Sequence, residues 1–322
     1  MPVAIQSCRV CGNSNLIPVL DLGEQYLTGT FPRANDGKNI TKGSLRLLKC
    51  HGTPDCCGLL QLEHNFDLNE MYGANYGYRS GLNYRMVQHL KRKVEVIREA
   101  VPLQAGDLVV DIGSNDGTTL GFYPEDLMLV GVDPTAKKFR EYYKRHISVV
   151  PEFFSDTAVN SVAQGKKAKV ITCIAMFYDL DNPHPFVKDL YNVLHDDGTL
   201  VLQMSYTPLM IKQMAFDNIC HEHVYYYDLN SIQTLFSQHG FRIVDCSLND
   251  TNGGSFRVYF QKDTANVASF GTSPLRDVCN YRVESILNYE HNVLDISSPL
   301  VWDEFKVRLD DLRNDVLSFI EE

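Results

Sequence analysis

An α/β fold built on a mainly parallel sheet is predicted by three observations. The apolar segment 108–112, which carries Asp111 near its end, breaks at once into a turn of Gly and Asn residues, Gly113 to Gly117. Beyond it, strand-like and helix-like segments alternate to about residue 239, and such alternation implies parallel strands joined by crossovers. The last two strand-like segments are joined by the short, turn-rich link Ser247 to Gly254, which makes a hairpin and turns the final strand antiparallel.

The elements follow in order. Residues 1 to about 65 hold Cys8, Cys11, Cys50, Cys56 and Cys57 and few long periodic segments. Asn83 to Ala100 reads as a helix, with Met86, Leu90, Val94 and Ile97 at helical spacing. Strands are expected at 108–112, 127–132, 147–150, 168–174 and 198–204, and helices near 136–145, 155–164 and 184–194. Pro208 to Met214 is a helical turn and Leu229 to His239 a helix, before strands at Phe241 to Cys246 and Ser255 to Gln261. From about 265 the chain reads helical, over Pro274 to Asn288 and Trp302 to Glu321; Phe305, Leu309, Leu312, Val316 and Phe319 share one face of the second helix. Three units are expected: a cysteine-rich domain over 1–65, the sheet core over 66–263 and a helical extension over 264–322.

At 322 residues the chain has length for about two domains. Its net charge of −10, with no basic run, disfavours a nucleic acid partner. No apolar run approaches the roughly 18 residues of a membrane span. Cys8 and Arg9 interrupt any signal-peptide core, so the expected location is cytoplasmic, with no membrane partner. Nothing in the sequence sets an oligomeric state.

The turn after the first core strand needs Gly so that the backbone can approach a ligand. Asn115 tolerates the left-handed conformation that such a turn uses. Asp133, ending the second core strand, stands where a ribose would sit. The spacing is not G-x-G-x-x-G, which disfavours a nicotinamide cofactor. D-x-G-x-N-x-G instead resembles the first motif of class I S-adenosylmethionine-dependent methyltransferases, with Asn115 where Gly is usual. The resemblance implies S-adenosylmethionine as cofactor. Asp111, Gly113, Ser114, Asn115 and Gly117 would then face its methionine part, and Asp133 would take its ribose hydroxyls. The class I sheet also ends in an antiparallel hairpin, as this chain is expected to do.

Cys8-Arg9-Val10-Cys11-Gly12 has the form of a zinc knuckle. Four thiolates in tetrahedral array describe a closed, structural zinc site. The expected ligands are Cys8, Cys11, Cys50 and Cys57; Cys56 competes for the last place and His51 for the third. A redox C-x-x-C or buried thiols is the other reading.

Cys220-His221-Glu222-His223, followed by three tyrosines, is the densest titratable cluster. Its spacing is not the H-E-x-x-H of a zinc hydrolase. It reads either as a satisfied structural cluster or as a general base with a group that orients it, and the base is preferred. Methyl transfer needs alignment and the removal of one proton, most of all when the acceptor is a carbon beside a ketone. An enolate would need hydrogen-bond donors, and tyrosines of the 71–80 stretch, Tyr76 and Tyr78 among them, could supply these or touch substrate. An ordinary packed loop is the alternative there.

Taken together, C-x-x-C-G at 8–12, C-G-L-L-Q-L at 57–62, Y-x-Y-R-S-G at 76–81, D-I-G-S-N-D-G at 111–117, A-M-F-Y-D-L at 175–180, I-C-H-E-H at 219–223 and N-G-G-S-F-R at 252–257 resemble the zinc-containing sugar C-methyltransferase family. That family acts on nucleotide-linked keto-deoxysugars. The resemblance implies a small N-terminal zinc-binding domain beside a Rossmann-like class I methyltransferase sheet. By residue matching, Glu222 and His223 remove the proton beside the sugar ketone and Tyr76 falls among substrate-site tyrosines. Met176 and Phe177 lie beside the cofactor. Asn252, Ser255 and Arg257 lie near the acceptor, Arg257 toward a phosphate. Two departures stand out. Cys220 occupies the place of a Tyr in C-methylating relatives, and members commonly continue into a further α/β domain beyond the helix that ends here at Glu322. The expected function is base-assisted methyl transfer to carbon of a sugar or nucleotide-linked keto-deoxysugar, with His223 as base. O-methylation of a sugar or related small molecule, or a non-catalytic binding protein on the same fold, is the alternative.

Overall fold

The computed structural model describes residues 4–28, 41–52, 56–71, 77–266, 268, 270–271 and 273–321. In chain order the elements are β1 (Leu16–Tyr26), β2 (Lys42–Cys50), β3 (Leu60–Leu62), α1 (Leu68–Met71), α2 (Tyr84–Ala100), β4 (Leu108–Ile112), β5 (Met128–Val132), β6 (Ser148–Val150), α3 (Asp156–Asn160) and β7 (Ala168–Ile174). There follow α4 (Pro183–Val193), β8 (Leu194–Ser205), α5 (Thr207–Gln213), β9 (Tyr225–Tyr226), α6 (Leu229–Ser237), β10 (Phe241–Asn249), β11 (Ser255–Lys262), α7 (Ser273–Asn288) and α8 (Pro299–Glu321).

The larger sheet has the order β10-β11-β8-β7-β4-β5-β6. Strands β4 to β8 are parallel neighbours, and β11 runs antiparallel to both β8 and β10. All five residues of β4 are buried, as a central parallel strand covered on both faces requires. The chain leaves β4 toward β5 and β6, then returns past it to β7. That reversal opens a crevice at the carboxyl ends of β4 and β7, the usual ligand position in such sheets.

Helix α2 covers one face. Its N-cap, Asn83, accepts hydrogen bonds from the Arg85 and Met86 amides at 2.9 and 3.3 Å. Val94, Ile97 and Ala100 then pack on Val109, Val170, Val201 and Tyr259 of the sheet. The cap places the start of α2 beside the glycine turn, where residues 80 and 81 bond to it.

Three expectations shift. The 136–145 segment forms only a 3-10 turn, Arg140–Tyr142, because the Tyr143 side chain is drawn inward to the glycine turn. The 155–164 helix stops at Asn160, ahead of Gln164 and Gly165, both at positive φ. The largest omission is the N-terminal sheet, β1-β2-β3-β9, antiparallel throughout. Register shifts in β1 between Pro18 and Leu20, and between Asp21 and Glu24, break the period of two that would have announced it.

This small sheet buries Leu20, Leu45, Leu47, Leu60 and Leu62 against Trp302, Phe305 and Leu309 of α8. Only the first half of the α8 stripe is used: Leu312 is half-buried, while Val316 and Phe319 are exposed. Between α7 and α8 a π-helical turn, Tyr289–Val293, carries Glu290 into the interior. Its carboxylate accepts from the Leu229 and Asn230 amides at 2.7 and 3.1 Å, at the start of α6, and from the Tyr206 hydroxyl at 2.6 Å. Burial, then the neighbouring Asp228, pushes Glu290 up to about 8. Among the described residues no helix is long and apolar enough to cross a membrane.

Glu290→Ala leaves two buried donors and the half-buried Asn230 amide unpaired, so it should lower the unfolding free energy by about 3 kcal/mol, read from the urea midpoint. A loss under about 0.5 kcal/mol would contradict a structural role for these bonds.

Candidate active site and metal centre

A cavity of about 700 Å³ opens at the carboxyl edge of the large sheet. Of the cofactor residues expected from sequence, Asp111, Gly113, Ser114, Asn115, Asp133 and Met176 line it. So do Tyr78, Asn252, Ser255, Glu222 and His223. Gly117, Phe177, Arg257, Cys220 and His221 do not line it, and Tyr76 lies outside the described residues.

The turn is locked from several sides. Asn115 has φ +51°, with Gly113 at +71° and Gly117 at +75°. A Cβ on Gly113 would lie 3.0 Å from the Met176 side chain, and one on Gly117 would lie 2.6 Å from the Tyr143 ring. Gly117 therefore serves packing rather than the cavity wall. The Asn115 side chain accepts from the Ser80 amide at 2.9 Å and donates to the Tyr78 carbonyl at 3.1 Å, which ties the 78–80 segment to the turn. Tyr143 donates to the Asn115 carbonyl at 2.8 Å and meets Ser114 Oγ at 2.7 Å.

Asp133 accepts from the Asn115 amide at 2.8 Å and from the amide and hydroxyl of Thr135, each at 2.6 Å. A carboxylate has about four acceptor positions, which leaves one for a ligand hydroxyl. Asp111 is buried and accepts from Thr172 Oγ1 at 2.5 Å; desolvation pushes it up to about 7.

The 220–224 loop crosses from one sheet to the other. His221 is fully buried in the small sheet: its Nε2 lies 3.0 Å from the Gly43 carbonyl and its ring meets Phe66 edge-on at 4.7 Å. It therefore departs from its expected place in the catalytic cluster, because β2 and Phe66 enclose it. Its amide donates to Thr28 Oγ1 at 3.1 Å, and the next strand, β9, pairs with β3. Val224 is shared, accepting from the Leu62 amide at 2.9 Å and donating to the Tyr178 carbonyl at 2.8 Å.

His223 faces the other way. Its Nδ1 lies 2.8 Å from the Asn218 carbonyl. A carbonyl only accepts, so Nδ1 carries the proton and Nε2 keeps a bare lone pair. The ring packs on Tyr178 at 4.1 Å, and burial lowers its pKa to about 4. Glu222 is raised by burial and is bonded to Thr28 and Cys220 rather than to His223. The imidazole is thus oriented by a backbone carbonyl, where the sequence pointed to Glu222.

Two further expectations are corrected by packing. Phe177 lies in the core against Phe186, Phe236 and Tyr227, so only Met176 of that pair reaches the cavity. Arg257 lies on β11 two residues deeper than Ser255, over the Tyr259 ring at 5.4 Å and donating to Ser247 Oγ at 3.2 Å. Residues that sequence reasoning missed include Gln203, His89 and Asn218. Gln203 had a signal, one amide in an apolar strand. Asn218 had none, since its carbonyl does the orienting.

The four cysteines Cys8, Cys11, Cys50 and Cys57 bring their sulfur atoms within 4.8 Å of one another, with Cys8–Cys57 and Cys11–Cys50 each at 3.5 Å. Tetrahedral zinc with bonds near 2.3 Å would hold its sulfurs about 3.8 Å apart. Asn13 Nδ2 donates to Cys50 Sγ at 3.3 Å, a support suited to a thiolate. Hydrogen bonds from Cys50 and Cys57 draw Cys8 down to about 4, while the same crowding pushes Cys57 up. A dication relieves that conflict by letting all four ionise. Cys56 and His51 stand outside the set.

Residues 82–245, just over half of the chain, match a family described as "Methyltransferase domain". The chain belongs to the methyltransferase domain family. Residues 8–72 of this methyltransferase-domain chain match a second family, described as "Putative zinc binding domain". C-methyltransferase NovU of Streptomyces niveus is 29% identical over 258 residues, which cover 79% of this chain and 60% of NovU. The chain thus matches less than two thirds of that relative's length. Among solved structures, magnesium protoporphyrin IX methyltransferase from Synechocystis PCC 6803 is 15% identical, with a TM-score of 0.41, over 56% of this chain and 88% of that one. Mitomycin 7-O-methyltransferase MmcR is 11% identical, with a TM-score of 0.43, over 56% and 55%.

Family membership makes S-adenosylmethionine the cofactor of the core, and the donor set makes zinc the ion of the cysteine cluster. The cavity fits the cofactor. A side chain at Gly113 would be strained at φ +71° and crowd Met176, Asp133 keeps an acceptor site, and among the described residues the lining holds Asp, Glu and His but neither Lys nor Arg, which suits a sulfonium cation.

Cys57→Ser should reduce bound zinc from about one ion per chain to a small fraction, read by elemental mass spectrometry, and lower the melting temperature. The cysteines share a core with the large sheet, so unchanged melting would contradict this account. Asn115→Gly keeps the left-handed turn but loses the bonds to Ser80 and Tyr78, and should weaken S-adenosylhomocysteine about tenfold by calorimetry. A change within about twofold would show that the clamp does not shape the cofactor site.

Proposed function

We propose that the chain catalyses S-adenosylmethionine-dependent methylation of a carbon beside the ketone of a sugar or nucleotide-linked keto-deoxysugar. The observation that carries this is the neutral, Nδ1-protonated imidazole of His223, whose free Nε2 belongs to a residue on the cavity wall. The 29% identity to a C-methyltransferase favours carbon as the acceptor. When bound at the glycine turn, S-adenosylmethionine supplies an electrophilic methyl group on a positively charged sulfur.

The chain's own residues do the rest. His223 Nε2 takes the proton from the carbon next to the carbonyl, which leaves the electron pair shared with the keto oxygen. The Asn218 carbonyl then stabilises the imidazolium through Nδ1–H. Tyr178, packed against the ring at a tilt of 54°, limits its rotation. Tyr78, Asn252 and Ser255 line the space left to the substrate. The sites, the sugar and the division into units at 65 and 263 belong to this same proposal.

One observation favours a second reading. Cys220 is buried and does not line the cavity, and a thiol is a weak donor, so it does not replace the relatives' phenol as a donor to the keto oxygen. An oxygen acceptor, which needs no enolate, fits that loss. NMR location of a deuterated methyl group on the product separates the two.

His223→Gln should slow exchange of the carbon-bound proton into deuterated water about 100-fold with a thymidine diphosphate-linked keto-deoxyhexose, and methylation by a similar factor. Full exchange in that variant would reject His223 as base. The lowered pKa fixes the pH response. The neutral imidazole persists from pH 8 down to about 5 and is lost through about 4, so exchange in the wild type stays level and then falls. A fall centred near the ordinary histidine pKa of about 6.5 would contradict the burial argument.

A further inference from the structure

Gln203 interrupts the apolar strand β8 on the cavity wall, is 4% exposed, and leaves Oε1 buried with no hydrogen-bond partner. Its Nε2 lies 3.0 Å from His89 Nε2, and His89 Nδ1 lies 3.4 Å from Thr251 Oγ1. Exchanging the two ends of the amide changes which atom meets His89, yet one end stays unpaired either way. A buried polar atom without a partner is costly to keep, and this one belongs to a residue on the cavity wall, where a ligand can supply the missing hydrogen bond.

Position indicates which ligand. β8 lies two strands from β4, about 10 Å along the sheet edge from the glycine turn at roughly 4.8 Å per strand, and on the far side from Asp133. Two residues further along β8, Ser205 donates to Asn218 Oδ1 at 3.2 Å, and the Asn218 carbonyl holds His223. Gln203 therefore faces the acceptor end of the cavity, beside the base. Its neighbours on that wall, Thr251, Asn252, Ser255 and Ser205, are uncharged. His89 is neutral too, its pKa lowered to about 4 by burial with Lys93 and Arg257 behind it.

We propose that Gln203, positioned by His89, is the hydrogen-bond partner of a hydroxyl or keto oxygen on the acceptor ring, and that this end of the cavity selects an uncharged, oxygen-rich ring and leaves any phosphate outside. The assignment rests on the sugar reading above and adds the residue that would read the sugar.

Three variants test it, with S-adenosylhomocysteine affinity measured by calorimetry and steady-state kinetics measured with a thymidine diphosphate-linked keto-deoxyhexose. Gln203→Met, close in shape and without hydrogen bonds, should hold S-adenosylhomocysteine within about twofold while KM rises about tenfold or more. Gln203→Glu, which keeps an acceptor, should recover part of that loss. If Gln203→Met fails to fold, Gln203→Asn, which withdraws the amide by one methylene, must show the raised KM with cofactor affinity intact, or the assignment falls. Unchanged KM, or a loss confined to S-adenosylhomocysteine, would overturn it while leaving the sugar reading in place. Wild-type protein that neither binds nor methylates the keto-deoxyhexose would overturn both.

Discussion

One hydrogen bond, from His223 Nδ1 to the Asn218 carbonyl, constrains everything the site can do. It fixes the tautomer, and through the tautomer it decides which nitrogen is free. A side-chain acceptor could have titrated or rotated; a backbone carbonyl does neither. The neighbours complete the constraint, with Tyr178 packed at a tilt against the ring and Ser205 bonded to the Asn218 side chain. Burial then removes the charged form of the imidazole at neutral pH.

That bond can persist only if the 220–224 loop is stationary, and the N-terminal sheet holds it. His221 is sealed against Gly43 and Phe66, Val224 bonds to both Leu62 and Tyr178, and β9 extends the small sheet by one strand. The cysteine cluster sits at the other end of the same sheet, where Cys50 closes β2 and Cys57 precedes β3. A structural ion in such a place needs no contact with substrate to matter. It sets the geometry of a sheet on which the reactive loop hangs. The C-terminal helices act similarly, with Trp302, Phe305 and Leu309 closing the sheet's apolar face and Glu290 bonded to the start of α6.

Much of this was legible in the chain because parallel core strands announce themselves. The segment 108–112, its turn and the closing hairpin follow from apolar runs and turn chemistry, and all three form. The N-terminal sheet was not legible, since bulges in β1 erase its alternation and β9 is only two residues long. At the site, adjacency in sequence misled. His221, Glu222 and His223 are consecutive, yet a turn at 221–222, closed by the His223 amide on the Cys220 carbonyl at 3.2 Å, sends His221 into the small sheet and His223 to the cavity. Arg257 misled through depth, since facing the right way on β11 does not bring it to the open edge. Asn115 was readable as a left-handed residue, but its side-chain clamp on residues 78–80 depends on a contact between distant segments.

The central claim is a protonation state, and 15N NMR of histidine-labelled protein observes it directly, with His223 assigned from the spectrum of His223→Gln. The account predicts a neutral ring at pH 6, protonated at Nδ1 and bare at Nε2. A ring protonated at Nε2, or an imidazolium at that pH, would contradict it.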